Sequence, residues 1–291
     1  AIAFFMFAGV TAWAPRRYGA ILMVLVLAIL VSVSALAPTR YILPAYAQPT
    51  RLTIEQAPAT MNDVYIGFGD DLFLLGYEMD QDSVQAGQDL HLRLYWLARR
   101  RMTRDYAIYV HVFGRQGERI GGVDTHPGGG NLPTRLWLPG DMIRDEYVVH
   151  IAPEATAPTA GAIRVGVYEA QGRKELPITD AYGRTLGPSP QIASVRIAPV
   201  RPFHYQPQQA AQVNLGDKVT FAGYDLVSDD VAAGNPLAIA LYWQTLSRMG
   251  KDYTIFMHLV NSAGELAAQV DGQPLDGDYP THYWQLGEQI R

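Results

Sequence analysis

Residues 72–144 recur 147 positions later, without a gap, as residues 219–291, and 28 of the 73 aligned pairs are identical. Gly76-Tyr77 meets Gly223-Tyr224, and Leu94-Tyr95-Trp96 meets Leu241-Tyr242-Trp243. Asp105-Tyr106 and His111 meet Asp252-Tyr253 and His258. Val123-Asp124 and Pro127 meet Val270-Asp271 and Pro274, and Pro133-Thr134, Trp137 and Gly140 meet Pro280-Thr281, Trp284 and Gly287. Chance does not produce such a match, so whatever fold suits one stretch must suit the other. The first copy runs on past Arg144 through DEYVVHIAP, AIRVGVYEA and IASVRIAPV. Residues 219–291 hold no match to these runs, so the second copy is expected to be incomplete at its C-terminus, with about a third of the domain missing.

Each copy reads as β. In DLHLRLYW, Leu90, Leu92, Leu94 and Trp96 fall on one face and His91, Arg93 and Tyr95 on the other, the period-two pattern of a strand. DYAIYVHVF puts Tyr106, Ile108, Val110 and Val112 on one face. Its other face, with Ala107, Tyr109 and Phe113, is also apolar, which predicts a central strand. Short strands separated by frequent Gly and Pro predict two tandem β-sandwich domains, jelly-roll or immunoglobulin-like, the second truncated. Gly128-Gly129-Gly130 reads as a flexible turn.

The N-terminal part is of another kind. No Asp or Glu precedes Glu55, where the only charges are Arg16, Arg17, Arg40 and Arg51; the chain as a whole carries −5, so the remainder is acidic. Residues 19–37 are uncharged and apolar, long enough as a helix to span the hydrocarbon core of a bilayer. The apolar residues 1–13 are too few to span and read as the end of an earlier membrane helix. Arg16 and Arg17 in the loop APRRYG place that loop in the cytoplasm by the positive-inside tendency, and hence the β domains outside. A cleaved signal peptide ending at Ala35-Leu36-Ala37 is the competing reading; the length of the apolar run and the apolar segment before the arginines count against it. Pro38, Pro44 and Pro49 predict an extended connector. The expected organisation is a membrane region over 1–37, a connector over 38–60, one sandwich over 61–200 and an incomplete one over 201–291.

Composition removes several classes of chemistry. With no cysteine there is no disulfide framework, thiolate metal site or cysteine nucleophile. No P-loop, GxGxxG after a strand, HExxH or GxSxG occurs, so no catalytic, cofactor-binding or metal-binding residue is assigned. Arg99-Arg100-Arg101 stands alone among acidic neighbours and reads as a solvated loop, not a nucleic-acid patch. The candidate ligand contacts are His111 with Asp124, their counterparts His258 with Asp271, and Trp137 with Trp284. His111, Asp124 and His126 have metal-ligand chemistry, but Gln273 replaces His126 in the second copy. A strand histidine beside an aspartate also reads as a structural pair. Trp96 and Trp243 share a strand face with leucines and belong to the core. Trp137 and Trp284 follow Pro-Thr in loops, which suits a surface contact such as stacking on a sugar ring.

The repeat pattern GY-(D/E), then LYW, DY-x-I, H, VD-x-x-P and PT-x-x-W-x-x-G, together with Tyr41-Ile42-Leu43-Pro44-Ala45-Tyr46-Ala47-Gln48-Pro49, resembles the C-terminal region of large bacterial membrane glycosyltransferases. These belong to the dolichyl-phosphate-mannose–protein mannosyltransferase-like group of the GT-C superfamily. The resemblance implies a polytopic parent that uses a lipid-linked sugar donor, with this part non-catalytic, outside the cell membrane, and positioning a glycan or envelope-protein acceptor. The superfamily's catalytic carboxylate lies in an early loop with no equivalent here. The alternative is a membrane-anchored surface or adhesion protein with carbohydrate- or protein-binding sandwiches.

Overall fold

A computed structural model describes residues 16–43, 46–227 and 231–291; the expected end of an earlier helix, at residues 1–13, lies outside them. The chain divides into two compact units, Ala1–Pro49 and Thr50–Arg291.

In the first unit, helix α1 (Arg16–Ala37) has 22 residues, about 33 Å at 1.5 Å per residue. Residues Ile21–Arg40 are long and apolar enough to cross a membrane. Ile21, Val24, Leu25, Leu27, Ile29 and Val31 are all exposed, as a helix surrounded by lipid requires. The connector differs from the extended chain expected after Ala37. Pro38–Ile42 continues as a π-helical turn in which the Leu43 N–H donates to the Pro38 carbonyl. Proline's fixed φ suits a helical turn, and its missing N–H removes one i→i−4 bond at the junction with α1. The connector's end is ordered too: β1 (Thr50–Leu52) is a strand, and Ile54–Gln56 form a 3₁₀ turn.

The first copy is a β-sandwich. Its other strands are β2 (Asn62–Phe68), β3 (Leu72–Met79), β4 (Ser83–Gln85), β5 (Asp89–Ala98), β6 (Tyr106–Phe113) and β7 (Arg119–Thr125). They are followed by β8 (Met142–His150), β9 (Thr159–Glu169), β10 (Ile178–Thr179) and β11 (Gln191–Ala198). One sheet has the order β1-β8-β5-β3-β2-β10 and the other β4-β11-β9-β6-β7. Leu90, Leu92, Leu94 and Trp96 of β5 face Ile108, Val110 and Val112 of β6 and Ile163, Val165 and Val167 of β9 in one core. Burying each such side chain contributes roughly 1.5–3 kcal/mol. Strand β6 lies between β9 and β7, and its outward Ala107 and Tyr109 are also buried.

The second copy repeats this scaffold through β12 (Gln209–Leu215), β13 (Val219–Leu226), β14 (Ile239–Thr245), β15 (Ile255–Val260), β16 (Leu266–Gly272) and β17 (Gln289–Ile290). They form the sheets β12-β13-β14-β17 and β15-β16. The repeat extends upstream of its sequence match. The β2–β3 register breaks between Asp63 and Ile66 and the β12–β13 register between Ala210 and Val213. Tyr65 at φ 55° and Gln212 at φ 56° hold the same left-handed bulge. The glycine triplet is likewise a defined shape: Gly128 and Gly129 have φ 63° and 61°, and their counterparts Leu275 and Asp276 have 53° and 57°. Residues other than glycine adopt that conformation only when the surrounding fold imposes it.

Strand β15 pairs with β16 alone among the described residues, whereas β6 also pairs with β9. Leu259 is 49% exposed and its counterpart Val112 is 0%. The second sandwich is therefore open where the first is closed. The copies meet through Arg196 of β11, which is 8% exposed. Its Nε donates to the Tyr279 hydroxyl at 2.6 Å, its Nη2 to Glu288 at 2.8 Å and its Nη1 to Ser83 at 3.0 Å. Beside it the Ala160 N–H donates to the Asp278 carbonyl at 2.7 Å.

Candidate ligand-binding face

The outer surface of β7, β6 and β9 collects the chemistry of the first copy. Directly paired residues of neighbouring strands project to the same side. The register sets Tyr109 opposite Asp124 on β7 and Gly166 on β9, and His111 opposite Gly122 and Arg164. Both glycines are needed. A Cβ on Gly166 would sit 2.1 Å from the Tyr109 ring, and one on Gly122 would sit 2.8 Å from His111 Cδ2. Each ring thus has one flank without a side chain, Gly166 for Tyr109 and Gly122 for His111, and takes up that space.

His111 stacks on Tyr109 with ring centres 4.5 Å apart and planes 22° apart. Its Nε2 lies 3.1 Å from Asp124 Oδ2 and 3.4 Å from Arg119 Nη1. With a proton Nε2 donates to Asp124, and without one it accepts from Arg119, so this one atom makes one of the two bonds at a time. Tyr109 is buried beneath, its hydroxyl donating to the Pro188 carbonyl at 3.4 Å, and burial raises its phenol pKa. Half-buried Tyr168 and Phe113 extend the row, at 6.4 Å from Tyr109 and 6.3 Å from His111. The result is an aromatic strip whose accessible rings are the half-buried His111, Phe113 and Tyr168, with Phe113 edge-on to His111, bordered by a carboxylate and guanidinium groups. Such a strip can stack on the C–H face of a sugar ring and hydrogen-bond its hydroxyls.

The second copy keeps part of this. Phe256 and His258 have ring centres 5.2 Å apart, and Asp271 lies opposite Phe256. Gln269 replaces Gly122, Leu266 replaces Arg119, and Phe256 is 70% exposed.

The structure thus joins His111 to Asp124 and corrects another expectation. Trp137 and Trp284 are not surface contacts: they are 0% and 1% exposed. Their indole N–H groups donate to the carbonyls of Leu132 and Tyr279, each at 3.1 Å. A buried indole needs such a partner, and the Pro-Thr loop folds over the ring to supply it. His126 does not join His111. Its Nδ1 lies 3.3 Å from the Tyr106 carbonyl, and among the described residues no group of three or more His, Cys, Asp and Glu side chains could hold a metal ion.

Tyr168, Arg164 and Arg119 were not picked out from sequence. The alternation in AIRVGVYEA sets Arg164, Gly166 and Tyr168 on one face, but nothing in the sequence says which strand lies beside it.

No family model matches the chain, and no curated protein matches it. Among solved structures, the C-terminal domain of wzt aligns over 54% of this chain and 90% of its own, at 8% identity and a TM-score of 0.33. Beta-glucuronidase 2 of Bacteroides uniformis aligns over 40% of this chain and 14% of its own, at 10% identity and a TM-score of 0.25. The sporulation control protein Spo0M of Bacillus subtilis aligns over 74% and 94%, at 10% identity and a TM-score of 0.25. At these scores the likenesses carry no argument about this chain.

Proposed function

We propose that the two β-sandwich copies are a non-catalytic carbohydrate-binding region tethered to a membrane by α1. The supporting observation is the aromatic strip on the first copy, where His111 lies flat on Tyr109 and its Nε2 meets Asp124. Flat rings beside a hydrogen-bonding carboxylate suit sugar rings, which are apolar on their C–H faces and polar at their edges. The test is a glycan array probed with the whole chain in detergent micelles, beside His111→Ala. Binding that H111A loses supports the reading; a blank array, or binding that H111A leaves intact, counts against it.

The sequence resemblance extends the proposal. In this reading the chain is the extracytoplasmic, C-terminal part of a GT-C glycosyltransferase, and the sandwiches position the acceptor glycan or protein. The same face would serve the alternative, an anchored surface or adhesion protein. Coding sequence upstream of Ala1 separates the two: several further apolar spans and an acidic first loop favour the transferase.

A further inference from the structure

The aromatic strip is flanked by three arginines, and each lies against a ring or the imidazole. The Arg164 guanidinium carbon sits 5.1 Å from the centre of the Phe113 ring, and that of Arg173 sits 5.5 Å from the centre of Tyr168. Arg119 reaches His111. All three are exposed. Among the described residues none of them forms an ion pair, whereas Arg51, Arg93, Arg100, Arg104, Arg135 and Arg184 each meet a carboxylate. Asp124 meets His111, Glu175 lies near Tyr109, and Glu118 precedes Arg119 beside Gly114. The three arginines are thus left without a carboxylate partner among the described residues, in a chain whose net charge is −5.

Resting on the carbohydrate reading above, we infer that the β7-β6-β9 face of the first copy selects acidic glycans, those whose sugars carry carboxylates. A guanidinium over an aromatic ring keeps N–H groups free for a carboxylate, which it can meet in two-point geometry. The arginines cover Phe113 and Tyr168, so their N–H edges hold the acid group while the half-buried His111 ring meets the rest of the sugar. Arg119 has Leu266 as its counterpart, so the second copy lacks that guanidinium.

The experiment measures binding of the full chain in detergent micelles to an oligogalacturonate and to maltoheptaose, by calorimetry at low and at physiological salt. The variants are Arg164→Gln with Arg173→Gln, Arg119→Gln alone, and Arg100→Gln as the control. All four side chains are exposed, and thermal melts check folding. The expected result is at least tenfold tighter binding of the acidic oligosaccharide, weakened by salt. The R164Q/R173Q pair should lose about that factor, R119Q part of it, and R100Q none. Equal affinity for the two oligosaccharides, or acidic-glycan binding that the arginine variants leave unchanged, overturns the charge selectivity while leaving the carbohydrate reading in place. Binding of neither overturns both.

Discussion

Arg196 and Glu288 pair at 2.8 Å across the joint between the copies, and Glu288 stands at the position that Asp141 holds in the first copy, where Arg51 of β1 meets it. Each copy therefore presents an acid after its Pro-Thr-x-x-Trp loop and receives an arginine from the segment that precedes it. The second pair is buried, with side chains 9% and 12% exposed, and the first is more open at 39% and 20%. Arg196→Ala strands Glu288 and Tyr279 in the joint. Removing one partner of a buried pair costs about 3–5 kcal/mol, so the variant should expose the segment between Ala198 and Gln209 to limited proteolysis. Arg51→Ala, at a more exposed pair, should cost about 1 kcal/mol or less. Equal protease resistance of R196A and the parent chain would refute the joint as drawn.

Asp145 should make the first copy less stable as pH rises. Its carboxylate is 1% exposed and accepts from the Gly128 N–H at 2.9 Å and the Tyr147 hydroxyl at 2.7 Å. Burial outweighs these bonds and raises its pKa. The native chain therefore holds the proton to higher pH than the unfolded chain, whose value is about 3.9. Stability from this group is full below that value and falls as pH climbs through the raised native one. Asp145→Asn keeps an acceptor for Gly128 and removes the charge, so its melting temperature should gain on the parent between pH 3 and pH 7. Asp145→Ala orphans the buried donor and should cost about 1–3 kcal/mol at either pH. Parallel pH profiles for D145N and the parent would contradict the assignment.

Gly166 and Gly122 should differ in tolerance. A methyl at Gly166 would sit 2.1 Å from the Tyr109 ring, and that ring is boxed in by His111 and the Pro188 segment. Gly166→Ala should cost about 1–3 kcal/mol by overpacking and abolish glycan binding. At Gly122 the obstacle is the edge of His111, 2.8 Å away, which can turn aside. Gly122→Ala should melt near the parent yet bind weakly. Equal melting temperatures for the two variants would show that Tyr109 is free to move.

Strand content, the tandem copies and the apolar faces of β5 and β6 were legible because alternation and self-similarity are local or pairwise signals. The role of the Pro-Thr-x-x-Trp motif was not. Its threonine is buried to accept the Tyr106 N–H at 2.9 Å, and Thr281 accepts from Tyr253 at 3.0 Å. A loop tryptophan reads as exposed until the sheet beneath it is known. Half of the binding face was visible in His111 and Asp124. Arg164 and Tyr168 joined it only through the β6–β9 register, which sequence alternation leaves open. Thr134→Val keeps the shape and removes the acceptor, so it should cost about 1–3 kcal/mol; a melt within experimental error of the parent would assign the motif to something other than folding.

The open second sandwich leads to a last expectation. Phe256, Leu259, Val260, Leu266 and Val270 are 49–70% exposed on β15 and β16, and a groove of about 580 Å³ between Trp243, Met249, Ile255, Phe256 and Trp284 opens onto the same region. In the first copy, Val112 at the position of Leu259 is fully covered, with β9 hydrogen-bonded along β6. Apolar surface beside an unpaired strand edge recruits other chains. A polypeptide of residues 50–291 should therefore bind a hydrophobic dye and self-associate above micromolar concentration, while residues 50–200 should do neither. Placing a charge on the open strand, as in Leu259→Lys, should suppress association without lowering the melting temperature of the first copy. A monodisperse 50–291 polypeptide that leaves the dye dark would mean that β15 and β16 bury these side chains in solution.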